Sequence, residues 1–177
     1  FSGKPVPWNI LGLMLEERPN FTLDPCLHAG AYYVQDSSSM FVGHVFRKGL
    51  SGMDVPSERI VRVLDLCAAP GGKSAFMAQM MQNTGLISSR DLHEHRVKLI
   101  QQNAQRLGIS CIQTVTADAT QSQPEDFERC DVVLLDAPCS GLGIMRSKPD
   151  IKLHHSLQDV EDLVKLQRQI LPVAAEA

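Results

Sequence analysis

The stretch Val63–Phe76, "VLDLCAAPGGKSAF", decides the fold of this chain. An apolar run leads to Asp65, a loop of small residues follows, and a helical pattern begins at Lys73. A buried strand, a glycine loop and a helix in succession are typical of a parallel α/β sheet. Ligands of such sheets bind beyond the carboxyl ends of the strands. The stretch therefore predicts a binding loop between Asp65 and Lys73.

Composition limits the classes of protein to which the chain can belong. Its 177 residues are 44% hydrophobic and 21% charged, which is typical of a globular domain, and its net charge is −3. Any contact with nucleic acid must therefore come from a local patch. No apolar run approaches the roughly 20 residues that span a bilayer, so no membrane partner is expected. We also expect a monomer, and an internal fragment because the first residue is not Met.

Cysteine and histidine usage predicts neither a disulfide framework nor a metal site. The five cysteines are odd in number and include no C-x-x-C pair. Reduced cysteines indicate a cytoplasmic location. His93 and His95 are two residues apart, which predicts that they lie on different faces of a helix.

The pattern along the chain divides it into an N-terminal segment, residues 1–55, and a core, residues 56–177. In the N-terminal segment, "AYYVQD" predicts a strand that ends at Asp36. The following "SSSMFVGHVFRKG" predicts a helix that is capped by Ser37 or Ser38 and stops at Gly49.

Strands and helices alternate through the core. The predicted strands are "IVRVLDL", "GLISS", "CIQTVTA" and "CDVVLLDA", and the predicted helices are "KSAFMAQMMQ", "LHEHRVKLIQQNAQRLG" and the stretch after Ser156. The second helix has an apolar stripe at Val97, Ile100, Ala104 and Leu107, with Gly108 as its C-cap. Pro172 should end or kink the third helix. This alternation predicts a doubly wound, mostly parallel α/β sheet.

The loop itself admits two classes of ligand. Gly72, Lys73 and Ser74 match the end of a phosphate-binding P-loop, and "VVLLD", ending at Asp136, imitates the magnesium-holding strand of such enzymes. Cys67, however, stands where the P-loop requires its first glycine, and Pro70 removes a backbone donor. A carboxylate at Asp65 would repel a triphosphate but would suit a cationic ligand. A P-loop NTPase is therefore the disfavoured alternative.

Acidic residues follow the other strands as well. Asp91 occupies the position after the second strand where a carboxylate reads the ribose diol of a nucleoside cofactor. Asp118 could accept a hydrogen bond from an adenine amino group, although Asp is also common in turns. A glycine loop flanked by acids fits S-adenosylmethionine, which carries adenosine, an ammonium group and a sulfonium, better than ATP.

The fourth strand leads into Asp136, Ala137, Pro138 and Cys139, with no aromatic residue to hold a base for amine attack. A Pro-Cys pair here favours chemistry at carbon 5 of a pyrimidine, which requires a thiolate to add first to carbon 6. Asp136 could bond the exocyclic amine or ring nitrogen of cytosine. Cys26, Cys111 and Cys130 are instead predicted to be small buried hydrophobic residues with no catalytic role.

Together, "DLCAAPGGK", Asp91, "ADAT", "LLDAPCSG" and "RSKPDIK" resemble the RNA cytosine-5 methyltransferases of the Sun (nucleolar-protein) family. "FTLDPCLHAGAYYVQDSSSMF" resembles the segment that precedes the core in its bacterial 16S ribosomal RNA enzymes. The resemblance implies a Rossmann-like core that uses S-adenosylmethionine to make 5-methylcytosine in RNA. The cofactor contacts it implies are Cys67, Ala68, Ala69, Pro70, Gly71, Gly72, Lys73, Asp91, Asp118 and Asp136.

The resemblance also implies catalytic roles. Lys73 and Asp136 would border the target base, and Cys139 matches a cysteine associated with product release. The family's nucleophile belongs to a Thr-Cys motif on the next strand, and no such motif occurs in these 177 residues. The core should therefore be incomplete at its C-terminus and this fragment inactive, which leaves a non-catalytic cofactor- or RNA-binding piece as a further alternative.

A small basic group follows the fourth-strand loop. It consists of Arg146, Lys148 and Lys152. One interpretation is a solvated surface stretch. The other is contact with RNA phosphates beside a flipped base.

Overall fold

The computed structural model describes residues 1–53, 59–144 and 156–177. The chain begins with an antiparallel hairpin of β1 (Gly3–Val6) and β2 (Asn9–Leu15). A short helix, α1 (Pro25–His28), and a longer one, α2 (Ser37–Gly52), follow. The sequence analysis missed the hairpin, because its pattern of alternation is weak.

A four-stranded sheet forms the centre of the molecule. Its strands are β3 (Arg62–Asp65), β4 (Leu86–Asp91), β5 (Ile112–Thr116) and β6 (Val132–Leu134). They are all parallel and lie in the order β5-β4-β3-β6. The chain moves outward from β3 to β5 and then returns to the other side of β3, so the direction of winding switches between β3 and β6. The predicted parallel α/β sheet is confirmed.

Three longer helices belong to the core, namely α3 (Gly72–Met80), α4 (Glu94–Arg106) and α5 (Leu157–Glu176). They cover both faces of the sheet. Val63, on one face of β3, packs with Phe46 of α2 and Met77 of α3. The next residue, Leu64, points to the other face and packs with Ile170 of α5. Because successive strand residues point to opposite faces, both are fully buried.

Several local predictions were wrong. Residues 31–36 form no strand. Asp36, rather than a serine, is the N-cap of α2, which runs past Gly49 to Gly52. The C-cap of α4 is Leu107, and Gly108 follows it with a φ of +68°. Pro172 does not end α5, which continues to Glu176, so the ending is wrong, while a kink at Pro172 stays a prediction.

The prediction that His93 and His95 lie on different faces of a helix was also wrong. His93 is the N-cap of α4 and precedes the helix, so its ring can stack on that of His95 at a centroid distance of 5.5 Å. Among the described residues, no group of three or more His, Cys, Asp or Glu side chains could hold a metal ion. No helix in the described ranges has both the length and the apolar character needed to cross a membrane.

Candidate functional site

The acids predicted from the sequence meet at one edge of the sheet. Asp65 is the last residue of β3 and Asp91 the last of β4. Asp118 and Asp136 each come two residues after the end of a strand, β5 and β6 respectively. Because the strands are parallel, all four follow carboxyl ends, where ligands of doubly wound sheets bind.

The loop between β3 and α3 is held by backbone bonds. The Ala68 N–H donates to Arg90 O of β4 at 2.7 Å, and the Gly71 N–H donates to Ala68 O at 2.7 Å. Gly71, the N-cap of α3, has a φ of +99°, which a glycine adopts without strain. The Ala69–Pro70 peptide bond is cis.

The start of α3 is open to an anion. The backbone N–H groups of Gly72, Lys73 and Ser74 have no backbone acceptor among the described residues. These are the first-turn donors that a helix leaves unpaired, and the helix dipole adds partial positive charge there. A carboxylate or phosphate group could therefore bind at this helix terminus.

Asp65 is the most unusual acid of the site. It is fully buried, and its Oδ2 accepts a 2.6 Å hydrogen bond from Ser74 Oγ, which in turn accepts one from Ser89 Oγ at 2.8 Å. Its Oδ1 has no hydrogen-bond partner among the described residues. Burial raises the pKa of Asp65 to about 6. Since a buried, unpaired acceptor is costly, Asp65 is suited to a ligand that brings a donor or a positive charge.

Asp91 is held rigidly. Its side chain is 3% exposed, and Arg96 Nη1 lies 3.1 Å from Oδ2 and 3.3 Å from Oδ1. The His93 N–H also donates to Oδ1. Arg96 Nη2 donates to Ala69 O at 3.3 Å, so the same arginine connects this acid to the β3–α3 loop.

Lys73 and Asp136 form the exposed side of the site. Lys73 Nζ donates to Asp136 Oδ2 at 2.7 Å, joining the start of α3 to the loop after β6. The Asp136 side chain remains 55% exposed. A carboxylate and an ammonium group are thus side by side and accessible to a second ligand.

Asp118 makes a turn, which was the structural alternative to its predicted role as a ligand of adenine. Its Oδ1 accepts from the N–H and the hydroxyl of Thr120. The backbone N–H of Thr120 is the main reason that the pKa of Asp118 is lowered. In the part of the chain that the structure describes, the turn uses Oδ1 only, and the adenine contact implied by the resemblance stays a prediction.

The cysteines fall into different environments. Cys139 is exposed, in a loop that α5 holds through a 2.8 Å hydrogen bond from Gln167 Nε2 to Pro138 O. Cys67 is half-buried, and burial, followed by the charges of nearby carboxylates, raises the pKa of its thiol to about 11. Cys111 is buried as predicted, whereas the same prediction for Cys26 was wrong because it is exposed.

Sequence reasoning missed the side chains that support this site. Ser89 and Arg96 were assigned to no role, although Ser89 extends the hydrogen bonds of Asp65 and Arg96 pairs with Asp91. Among the supporting side chains, only Ser74 lay inside a recognisable motif, the glycine loop.

The predicted RNA-binding residues Arg146, Lys148 and Lys152 lie outside the described residues. A cavity of about 350 Å³ lies between residues 30–35 and α3, and Gly72 is the residue of the cofactor loop that lines it.

A doubly wound parallel sheet binds its ligand beyond the carboxyl ends of its strands, and the acid-flanked glycine loop found there fits the class of Rossmann-like methyltransferases that use S-adenosylmethionine. The family model described as 16S rRNA methyltransferase RsmB/F matches residues 55–177, and the chain belongs to this family.

Individual relatives agree with this membership. "Probable ribosomal RNA small subunit methyltransferase B" of Bacillus subtilis is 43% identical over 80% of this chain and 30% of its own length. The mouse "28S rRNA (cytosine-C(5))-methyltransferase" is 36% identical over 84% of the chain and 18% of its own length. Among solved structures, NSun6 from Pyrococcus horikoshii with SFG is 29% identical, with a TM-score of 0.73 over 90% of this chain and 38% of that one. The chain thus spans about a third or less of the length of these curated relatives.

Proposed function

We propose that the protein to which this chain belongs transfers a methyl group from S-adenosylmethionine to carbon 5 of cytosine in ribosomal RNA. The observation that carries the proposal is the β3–α3 loop, where helix N–H groups lie next to the buried carboxylate of Asp65 and neither those groups nor Oδ1 has a partner among the described residues. Membership of the 16S rRNA methyltransferase RsmB/F family supports the choice of substrate.

The residues present fit the cofactor. The N–H groups at the start of α3 suit the carboxylate of its methionine part, and Asp65 Oδ1 is an acceptor for its ammonium group. The rigid carboxylate of Asp91 suits a ribose diol, and Asp118 an adenine amino group. The remaining contacts, from Cys67 to Lys73, come from the loop itself. When bound, S-adenosylmethionine supplies an electrophilic methyl group.

The base would lie on the Lys73–Asp136 side. Asp136 can accept from the exocyclic amine of cytosine, and Lys73 holds that carboxylate in place through their 2.7 Å pair. Cys139, which is exposed in the same loop, would correspond to the cysteine associated with product release in the family that the chain resembles. Arg146, Lys148 and Lys152 supply phosphate contacts in this proposal.

The chain's organisation is part of the same proposal. Residues 1–55 precede the methyltransferase core of residues 56–177, and the start of the family match at residue 55 supports this division. A cytoplasmic location and a monomeric state stay predictions; the ribosomal RNA substrates named for the relatives support the former.

The P-loop alternative is not supported. The relatives reported above are methyltransferases rather than NTPases. The structure supplies a physical reason, since a triphosphate at the start of α3 would lie next to the buried acid Asp65, with Pro70 unable to donate a hydrogen bond.

Binding and product chemistry test the proposal separately. Calorimetric titration of the intact protein should show saturable binding of S-adenosylmethionine and none of ATP-magnesium. Ribosomal RNA labelled with tritium at carbon 5 of cytosine should release tritium to water in step with methyl incorporation, because the methyl group replaces that hydrogen. Binding of ATP alone would contradict the cofactor assignment. Methyl incorporation without tritium release would place the methyl group on another atom.

A further inference from the structure

One face of α4 contacts the β3–α3 loop at Ala69, Pro70 and Gly71. Arg96, Ile100 and Asn103 are spaced i, i+4 and i+7, so they share a helix face. Arg96 Nη2 donates to Ala69 O at 3.3 Å, and Asn103 Nδ2 donates to Pro70 O at 3.0 Å. Between them, a Cβ atom at Gly71 would lie only 3.1 Å from Ile100 Cγ2.

These contacts determine the orientation of two successive peptide groups in the loop. Ala69 O and Pro70 O each accept from a side chain of α4, which fixes the planes of their peptides. Gly71, the next residue, has the greatest backbone freedom of any residue type. Without these donors, the start of α3 would be joined to β3 by a segment with fewer constraints on its conformation.

Asn103 is itself held in one orientation. A side-chain amide can present either its oxygen or its nitrogen to a neighbour. Arg106 Nη2 lies 3.4 Å from Asn103 Oδ1 and can only donate, so it holds the oxygen on its own side and turns Nδ2 toward Pro70 O. Arg106 also donates through Nη1 to Leu27 O at 2.6 Å, which ties it to the N-terminal segment.

We propose that Asn103, oriented by Arg106, is a positioning residue that holds the cofactor loop in its binding conformation. In this role Asn103 acts through the carbonyl of Pro70. The inference rests on the proposed function, since it assigns the β3–α3 loop to S-adenosylmethionine.

Two substitutions and a matched control test it in the intact protein. Asn103→Ala removes the donor to Pro70 O. Asn103→Asp keeps the shape and strengthens the pairing with Arg106, but it sets a carboxylate against the Pro70 carbonyl. Gln102→Ala removes an exposed carboxamide from the adjacent position of the same helix. Calorimetry measures the affinity for S-adenosylmethionine, and thermal unfolding measures stability.

We expect Asn103→Ala to bind S-adenosylmethionine about 3- to 10-fold more weakly, the range expected for one neutral hydrogen bond. Asn103→Asp should lose at least as much affinity while its melting temperature stays equal to that of the parent or rises. Gln102→Ala should leave both quantities unchanged. A purely structural role predicts instead that affinity follows stability, so an Asn103→Asp variant with full affinity would overturn the proposal.

A measurement without ligand separates this inference from the proposed function. Amide hydrogen exchange in residues 66–75 should be faster in Asn103→Ala than in the parent or in Gln102→Ala. Unchanged exchange would refute the positioning role whatever the ligand of the loop is. Failure of the parent protein to bind S-adenosylmethionine would instead count against the proposed function.

Discussion

At the residue scale, Asp65 binds its proton more tightly than an exposed aspartate does. Its pKa of about 6 exceeds the value of 3.8 for an exposed aspartate, because burial disfavours its charged form. Between pH 4 and 6 the folded state therefore holds a proton that the unfolded state has released. Stability falls as pH rises through this window, by at most about 3 kcal/mol from this group.

Asp65→Asn should remove that part of the pH dependence. The amide stays uncharged at every pH, so the free energy of unfolding of the variant, measured by urea denaturation at pH 4, 5, 6 and 7, should decline less steeply than that of the parent. The difference between the two curves isolates Asp65 from the other titrating groups. Parallel curves would show that Asp65 ionises at an ordinary pH in the folded chain.

The Lys73–Asp136 pair should matter for activity rather than for stability. Both side chains are partly exposed, and ion pairs of this kind contribute about 0–1 kcal/mol to folding. Lys73→Met should therefore shift the melting temperature little, yet lower kcat for methylation of ribosomal RNA by at least about tenfold, as expected for loss of a charged group at a reacting base. Lys98→Met, which breaks a similarly short pair with Glu94 on α4, is the control and should retain activity.

At this scale the sequence predicted the positions of the acids but not the side chains Ser89 and Arg96 that support them. Asp65 and Asp136 could be placed because each follows an apolar run that predicts a strand. Asp91 could be placed because it follows the next predicted strand, although that strand is partly polar, and strand ends converge in a parallel sheet. The partners Ser89 and Arg96 could not be placed, since their bonds depend on the packing of β4 and α4 against the loop. Local sequence specifies an element's ends but not which side chains meet across elements.

At the scale of elements, the turn into α3 depends on one glycine. Gly71 combines a φ of +99° with close contact to Ile100 Cα, at 3.2 Å from the position of an added Cβ. Gly71→Ala should lower the free energy of unfolding by about 1–3 kcal/mol through backbone strain, measured by chemical denaturation.

The matched control is Gly49→Ala in α2. An added Cβ there meets nothing within 4 Å, and Gly49 lies inside a helix. Alanine should therefore stabilise the chain by about 0.5–1 kcal/mol. If both substitutions changed stability in the same direction, the contact with Ile100 would not explain the requirement for glycine.

The wrong prediction at residues 31–36 shows why β propensity alone fails. Tyr32, Tyr33 and Val34 favour strands, but a strand needs a neighbour with free backbone groups. Here the Tyr32 carbonyl accepts instead from Arg106, and the Tyr33 ring packs against Gly72, 2.8 Å from an added Cβ. These partners lie about 40 to 75 residues away, beyond the reach of a local pattern.

At the scale of the whole molecule, two attachments of the N-terminal segment to the core stand out among the described residues. The hairpin is joined to α2 by Trp8 Nε1, which donates to Ser37 O at 2.9 Å, while α2 packs on α3 through Phe46 and Met77. The second place is Arg106 of α4, which donates to Leu27 O and Tyr32 O. The guanidinium also lies 5.9 Å from the centroid of the Tyr33 ring.

Arg106→Lys tests whether the second attachment holds residues 24–36 on the core. Lysine keeps the charge but loses the planar fork that reaches two carbonyls and lies over the tyrosine ring. Hydrogen bonds from charged donors are worth about 1.5–3 kcal/mol each, so local opening of the segment should become at least tenfold more frequent. Limited digestion with chymotrypsin should then cut at Tyr32 and Tyr33 at least about tenfold faster than in the parent, while Lys98→Met is cut at the parental rate.

Because opening would also withdraw Tyr33 from Gly72, the affinity for S-adenosylmethionine should fall in the same variant. Faster cutting with full affinity would mean that the segment covers the cofactor loop without shaping it.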